Sequence, residues 1–363
     1  MKTMKIFRSL LVAAVAIAPL ACDEGIDPIT RVDPGPDNDA PTVQIKFPIE
    51  GTKIRVKEDV TPLTIDFEVT DDIEIQSIAV SLNGTQIKEF SNFKDYRRAL
   101  GPFEYPELAS GVHTLTITAK DLSGKSTSAS VNFEKVEPYQ PVYEGEIFYL
   151  PFDGDYFELV SATNVTKVGS PLFADDAVAG SKSYKGFADA YLTFPTEGLL
   201  GEEFSAAFWY KVNASPDRSG ILTVSPPDPN NTANPNNRTK GFRLFRENAG
   251  GKQRVKLNVG SGSTDHWFDG GANADIDPSV NEWVHIAFTI SQTKAAVYIN
   301  GEIVSEGTLP NGVSWADCDI LSIASGAPRF TEWGHLSDQS LYDELRFFNK
   351  ALTQDEVQDL MGN

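Results

Sequence analysis

Short runs in which apolar and polar residues alternate recur along most of the chain, and this period of two limits the fold more than any other feature. Leu63, Ile65, Phe67 and Val69 form one face of such a run. Ile78, Val80 and Leu82 form another, ending at the hairpin signal Asn83-Gly84. Leu115, Ile117 and Ala119 alternate ahead of a turn at Asp121-Leu122-Ser123-Gly124, and Val131 and Phe133 close this first block. Further on, Phe204, Ala206, Phe208 and Tyr210 alternate with Ala207, Trp209 and Lys211. Val284, Ile286, Phe288 and Ile290 share one face of a strand whose other side carries Trp283, His285 and Ala287. Val297 and Ile299 run into Asn300-Gly301, a second hairpin signal, with Ile303 beyond it. Successive side chains of a strand point to opposite faces, so this pattern predicts β-structure throughout. The one helix signal is at the end, where Thr353 and Glu356 have capping-box spacing and Val357 and Leu360 share a face.

The chain has 363 residues, enough for two sizeable cores. Acidic residues number 51 and basic residues 31, a net charge of −20. Phosphate backbones need a basic stripe, so this balance excludes nucleic acid as a partner. Two cysteines and four histidines leave little material for a disulfide framework or a zinc centre.

Two proline-rich joints divide the chain. Residues 23–41 have no hydrophobic periodicity and read as a solvated tether. The second joint is Glu137-Pro138-Tyr139-Gln140-Pro141. Ahead of the first, Lys2, Lys5 and Arg8 precede the apolar run Leu10 to Ala18, which is too short to span a bilayer and suits a signal peptide over residues 1–21. Pro19-Leu20-Ala21-Cys22 resembles a lipobox, with Pro19 where Leu is usual, as in the loose lipoboxes of Bacteroidetes lipoproteins. Asp23-Glu24 resembles their acidic surface-export signal. The resemblance implies lipidation at Cys22, a tether over 22–41, and a surface-exposed protein of the cell outer membrane. Loss of Lys2, Lys5 and Arg8 would take the charge from −20 to −23. Cys318 lies between Asp317 and Asp319, surroundings that oppose a thiolate, and reads as structural.

Residues 42–137 are similar to bacterial immunoglobulin-like domains. The likeness is carried by Ala40-Pro41-Thr42-Val43 at the entry and by Gly111-Val112-His113-Thr114-Leu115-Thr116-Ile117 near the end. No chemistry clusters here, and a spacer role is expected, followed by a linker over 138–145. Residues 146–363 resemble the laminin-G-like, concanavalin A-type jelly rolls of bacterial surface proteins. The matching segments begin with Tyr149-Leu150-Pro151-Phe152-Asp153-Gly154 and Phe204-Ser205-Ala206-Ala207-Phe208-Trp209-Tyr210. They continue through Glu282-Trp283-Val284-His285-Ile286-Ala287 and Val297-Tyr298-Ile299-Asn300-Gly301-Glu302 to Tyr342-Asp343-Glu344-Leu345-Arg346-Phe347-Phe348. The expected fold is therefore all-β: an Ig-like sandwich, then a larger jelly roll with its first and last strands adjacent.

The jelly-roll resemblance implies two candidate sites. Asp153 and Asp343 fall in the two terminal matching segments, where such domains often hold structural calcium. That hard ion takes six to eight oxygens, so the carbonyls of the Asp153-Gly154-Asp155 turn would have to contribute. The competing reading makes Asp153 a turn residue and pairs Asp343 with Arg346 or a backbone amide. Such jelly rolls also commonly present aromatic rings to sugars, whose C–H face stacks on an indole while hydrogen bonds form at its edge. Trp209 and Trp283, in strand motifs, read as core; Trp267, Trp315 and Trp333 have loop-like surroundings. His266 and Trp267 in one cluster, and Arg329, Trp333 and His335 in another, mix aromatic and hydrogen-bonding groups as a sugar site requires. The Pro/Asn-rich insertion Ser225 to Lys240 could rim such a site or stand apart from it.

The carboxylate pattern of laminarinase-type relatives, Glu-x-Asp-x-x-Glu, does not occur, nor does Gly-x-Ser-x-Gly or His-Glu-x-x-His. The sequence favours a lipid-anchored protein that captures an extracellular glycan without catalysis. The acidity points to a neutral glycan. Resemblance to Bacteroidetes glycan-uptake accessory proteins implies an outer-membrane glycan transporter as a partner. The alternatives are an adhesion or scaffolding protein that binds a protein, and a glycoside hydrolase with an unrecognised carboxylate pair.

Overall fold

The computed structural model describes residues 35–362. Cys22, the signal segment before it and most of the tether lie outside the described residues.

The first block of alternating residues folds as two facing sheets. One pairs Thr42–Phe47 and Arg98–Leu100 with Val60–Thr70, which also pairs with Phe103–Ala109. The other runs Lys53–Ile54, Ser126–Lys135, Gly111–Asp121, Ile75–Leu82 and Thr85–Phe90. Leu63, Ile65, Phe67, Val69, Ile78, Val80, Leu115 and Ile117 fill the space between them. Asn83 and Gly84 both have positive φ (52° and 78°), the backbone that a two-residue hairpin of type I′ requires. His113 is an ordinary strand residue stacked on Phe133.

The linker is laid along the second domain. The Tyr139 hydroxyl donates to Glu146 (3.0 Å) and its ring lies 5.1 Å from that of Tyr149. Arg55 of the first domain pairs with Asp155 and lies over the Phe157 ring of the second.

The second domain is a sandwich of two eight-stranded sheets. The terminal-strand sheet joins Glu146–Leu150 to Leu341–Phe348, so first and last strands are adjacent as expected. It continues through Phe204–Lys211, Val284–Ile290, Lys294–Ile299 and Glu302–Thr308. The opposite sheet runs Thr166–Val168, Tyr191–Pro195, Ile320–Ile323, Arg218–Val224, Lys240–Ala249, Lys252–Ser261 and Asp265–Asp269. Phe148, Phe204, Phe208, Ile286, Phe288 and Phe347 from one sheet pack against Leu192, Val224, Phe242, Leu244, Leu257 and Ile323 from the other. Cys318 joins this core; burial pushes its thiol up to about 11, as a structural residue should show.

A buried ion pair ties the sheets at one end of the sandwich. Arg246 and Asp338, both fully enclosed, meet at 2.8 Å. Asp338 also accepts from the hydroxyls of Tyr210 (2.6 Å), Tyr342 (2.6 Å) and Ser340 (2.9 Å). Burial opposes its ionisation, but Arg246 and these hydroxyls hold its carboxyl below the usual range. The helix Gln354–Asp359 has the predicted capping box: Thr353 accepts from the Glu356 N–H, and Glu356 from the Thr353 N–H. Val357 and Leu360 cover Ala207, Ala287, Ala296 and Tyr298 on the outer face of the terminal-strand sheet.

That outer face corrects two expectations. Trp209 and Trp283 are not core. The alternation gives their strands two apolar faces, and these rings lie on the one turned away from the sandwich. Trp209 is half-buried against His285 (5.3 Å), and the Trp283 indole N–H donates to Asp176 (2.9 Å). Trp315 differs in the other direction. It packs on Phe204 and Phe242 at the edge of the core and donates its N–H to the Gly201 carbonyl (2.7 Å).

Candidate functional site

Three segments meet on the outer side of the opposite sheet. The edge strand Asp265–Asp269 turns Phe268 inward and leaves Trp267 outward, 43% exposed. A loop over 326–335 carries Phe330, Trp333 and His335. It is closed by the Gly326 N–H donating to the His335 carbonyl (3.0 Å). Gly326 is required there, because a Cβ would lie 2.2 Å from the carbonyl oxygens of both Phe330 and His335. The insertion 225–240 is the third wall. It is stitched to the second loop through the Thr331 N–H to the Pro235 carbonyl (2.9 Å) and a bridge between Asn236 and Phe330.

The two tryptophans that the sequence places in separate clusters come together. The Trp267 and Trp333 rings lie 6.1 Å apart and 26° from parallel. Phe245, Phe330 and His335 form the base beneath them, with Phe330 and His335 stacked at 4.6 Å. The Arg238 guanidinium lies 5.6 Å from the Trp267 ring and 5.0 Å from Trp333, and it pairs with Asp265 (3.2 Å). The result is an aromatic shelf with the Arg238 guanidinium over both indole rings and the Asp265 carboxylate beside it, whose charges offset each other.

Arg238 is a site residue that the sequence reading missed. It is held in place by Arg243, which is fully buried. The Arg243 guanidinium donates to the carbonyls of Arg238 (3.2 Å), Lys240 (2.7 Å) and Asn237, and to Asn258 Oδ1 (3.1 Å). Burial pushes this guanidinium down to about 9. An arginine in a strand of otherwise apolar inward and outward neighbours, just after a long loop, is the signal that could have found it.

The other expected glycan-binding residues are placed differently. His266 is half-buried beside the shelf, its Nε2 3.1 Å from Ser261 Oγ. Arg329 turns away and pairs with Asp319 (2.7 Å). His335 is 0% exposed, so it supports the shelf and does not reach its surface. Its Nε2 approaches Glu247 at 3.2 Å without hydrogen-bond geometry, and burial lowers its affinity for a proton.

Asp153 and Asp343 lie near each other, both held by one segment. Asp153 accepts from the Ser181 N–H (2.7 Å), and Asp343 Oδ2 from the N–H groups of Val178 (2.7 Å) and Ala179 (3.1 Å). Asp343 Oδ1 is buried with no partner. Burial, with Glu344 and Asp153 nearby, pushes the Asp343 carboxyl up to about 7 despite the two amide donors. Among the described residues, no three His, Cys, Asp or Glu side chains are grouped to hold a metal ion. An ion here would therefore draw its remaining ligands from backbone carbonyls, as calcium can.

Comparison with known proteins agrees with this two-part architecture. Residues 41–117 match the bacterial Ig domain, and residues 186–358 match the laminin-G type of the concanavalin A-like lectin/glucanases superfamily. The chain is thus a two-sandwich protein: a bacterial Ig domain followed by a laminin-G-type concanavalin A-like domain. No curated protein matches it. Among solved structures, it is similar to domain 4 of an extracellular arabinanase from Geobacillus stearothermophilus, solved with arabinotriose. The identity is 20%, coverage 59% of this chain and 97% of that one, and TM-score 0.46. The binding domain of Paraclostridial Mosquitocidal Protein 1 is 16% identical, with 60% and 51% coverage and a TM-score of 0.41. The binding domain of botulinum neurotoxin DC, solved with SialylT, is 13% identical, with 60% and 51% coverage and a TM-score of 0.43. This chain spans about half the length of those two toxin domains. All three lie below the similarity at which a shared ligand follows.

Proposed function

We propose that the chain is a non-catalytic carbohydrate-binding protein of the bacterial outer membrane. A lipid on Cys22 anchors it and the 22–41 segment tethers it. The Ig-like domain spaces the second domain from the surface, where the Trp267–Trp333 shelf captures a neutral extracellular glycan for an outer-membrane transporter. The observation that carries this reading is the shelf itself. The exposed Trp267 indole and the half-buried Trp333 indole lie 6.1 Å apart, with the Arg238 guanidinium over both rings and neutralised by Asp265. Indole faces stack on the C–H side of a pyranose, and the rim supplies donors and acceptors. The superfamily holds lectins and glucanases alike, and no catalytic carboxylate pattern accompanies the shelf. A glycan array on the full chain tests this. Binding to neutral glycans, lost in Trp267→Ala and Trp333→Ala, supports it. Capture of a membrane protein with no glycan binding would favour adhesion, and product release from a polysaccharide would favour hydrolysis.

Asp153 and Asp343 are proposed to hold a structural Ca²⁺. What supports this is a buried, unpartnered carboxylate oxygen beside a second carboxylate, a charge that a cation would compensate.

A further inference from the structure

The joint between the two domains departs from what a proline-rich linker usually provides. Domains on one chain move relative to each other by default, unless a large or hydrophobic interface stops them. Here the chain itself is held on both sides of the crossing.

On the first-domain side, the last strand, Ser126–Lys135, pairs in parallel with Lys53–Ile54. Val136 continues this pairing, donating its N–H to the Ile54 carbonyl (2.9 Å). Lys135 is fully buried and donates to Ser110 Oγ (3.0 Å). On the second-domain side the hold begins at Tyr139. Its hydroxyl accepts from Arg346 Nη1 (3.0 Å) and donates to Glu146 (3.0 Å). Glu146 is buried and also accepts from the Val142 N–H (3.0 Å). The Arg346 guanidinium lies 3.4 Å from the centre of the Tyr149 ring and 5.3 Å from that of Tyr143, and it pairs with Glu146 and with Glu344 (3.0 Å). One buried cation thus gathers the first strand, the last strand and the linker of the second domain.

Only Glu137 and Pro138 separate Val136 from Tyr139. Three residue steps reach about 11 Å at full extension. Pro138 fixes its own φ and confines Glu137 to extended backbone. The crossing therefore has little torsional freedom left. Arg55 adds a second point of contact, pairing with Asp155 and lying 4.9 Å from the centre of the Phe157 ring. Both charged groups are partly exposed, so this pair adds little strength by itself. Its effect is to oppose swivelling about the short crossing.

We infer that the linker is a splint and not a hinge: the Ig-like and laminin-G-type domains move as one rigid body, held by the Arg346 clamp on Tyr139 and steadied by Arg55. At the far end of the first domain, Lys125 Nζ donates to the Asp37 carbonyl (2.7 Å) and carboxylate (2.9 Å). The rigid unit therefore extends from Asp37 to the shelf and carries the shelf at a fixed attitude to its own entry point. The inference rests on no shelf residue, so its failure would leave the glycan reading untouched, and the reverse holds too.

The test is residual dipolar couplings of backbone amides, measured on the full chain in a weakly aligning medium. Couplings from the two domains should fit one common alignment tensor. A Gly-Ser-Gly-Ser insert between Glu137 and Pro138 should abolish the common tensor and leave the amide shifts inside each domain in place. Tyr139→Ala, which frees the chain up to Val142, should also split the tensor. Two distinct tensors in the parent protein would overturn the inference. A single tensor retained in the insert variant would overturn it as well, because that variant disturbs neither domain core. A single tensor in a folded Tyr139→Ala variant would remove the clamp from it.

Discussion

The two outer faces of the second domain are covered in different ways. On the terminal-strand sheet, a capped helix and the interdomain linker lie over small residues, Ala207, Ala287 and Ala296, and enclose a cavity beside them. On the opposite sheet, an edge strand carries the exposed Trp267, a loop closed by Gly326 sets the half-buried Trp333 beside it, and a second loop clamped by Arg243 adds Arg238. Of the indoles on these two faces, only Trp267 on the edge strand is exposed; Trp209 and Trp333 are both half-buried. The same sandwich therefore offers a partly open cavity of mixed lining on one side and a partly exposed aromatic surface on the other.

The comparison assumes that both sheets are held in one fixed relation, and Asp338 is where this breaks most easily. Asp338→Asn would leave Arg246 buried without its counter-charge, so unfolding should become easier by about 3–5 kcal/mol. Denaturant titration measures this, and a change within error would remove the pin from the account. Next in size is calcium. Saturation at about a hundredfold over the dissociation constant should stabilise the protein by about 2.7 kcal/mol, abolished in Asp153→Asn/Asp343→Asn. Thermal melts with calcium and with EGTA that coincide would exclude that ion. A smaller effect sharpens the open side. Arg238→Ala should weaken glycan binding by about 1 kcal/mol, roughly fivefold, with little change in stability.

The smallest effect at neutral pH belongs to the enclosed side. Burial lowers the His285 pKa to about 4. Its unfolded value is near 6.5, so the unfolded chain binds the proton first on acidification. The contribution of a neutral His285 is complete above about pH 6.5 and is lost as pH falls toward 4. His285→Phe should flatten the fall in stability between those pH values, beside a pH-independent offset from removing the unpartnered nitrogen. Parallel curves for the two proteins would contradict the buried placement.

Much of the fold was legible because strands and hairpins are local. The alternation at Phe204 to Tyr210, the positive-φ turns at Asn83-Gly84 and Asn300-Gly301, and the Thr353–Glu356 capping box all formed as expected. Alternation does not say which of two apolar faces points into the sandwich, and so the pattern alone reads Trp209 and Trp283 as core. The site was legible in part. Trp267 and Trp333 each stand among polar neighbours, but their meeting depends on how an edge strand and a distant loop pack. His335 looked like a ligand contact because its neighbours are polar, yet the chain folds it under Trp333. Arg238 belongs to a Pro/Asn-rich stretch with no periodicity to mark it. The arginine clamp that fixes it closes only when the loop returns to the sheet.

The shelf is the centre of the account, and calorimetric titration of the full chain with the best neutral oligosaccharide from an array tests it most directly. Trp267→Ala and Trp333→Ala should each lose about 2 kcal/mol of binding, roughly thirtyfold, while thermal stability stays close to that of the parent. Unchanged affinity in both folded variants would contradict the shelf as the glycan-binding surface.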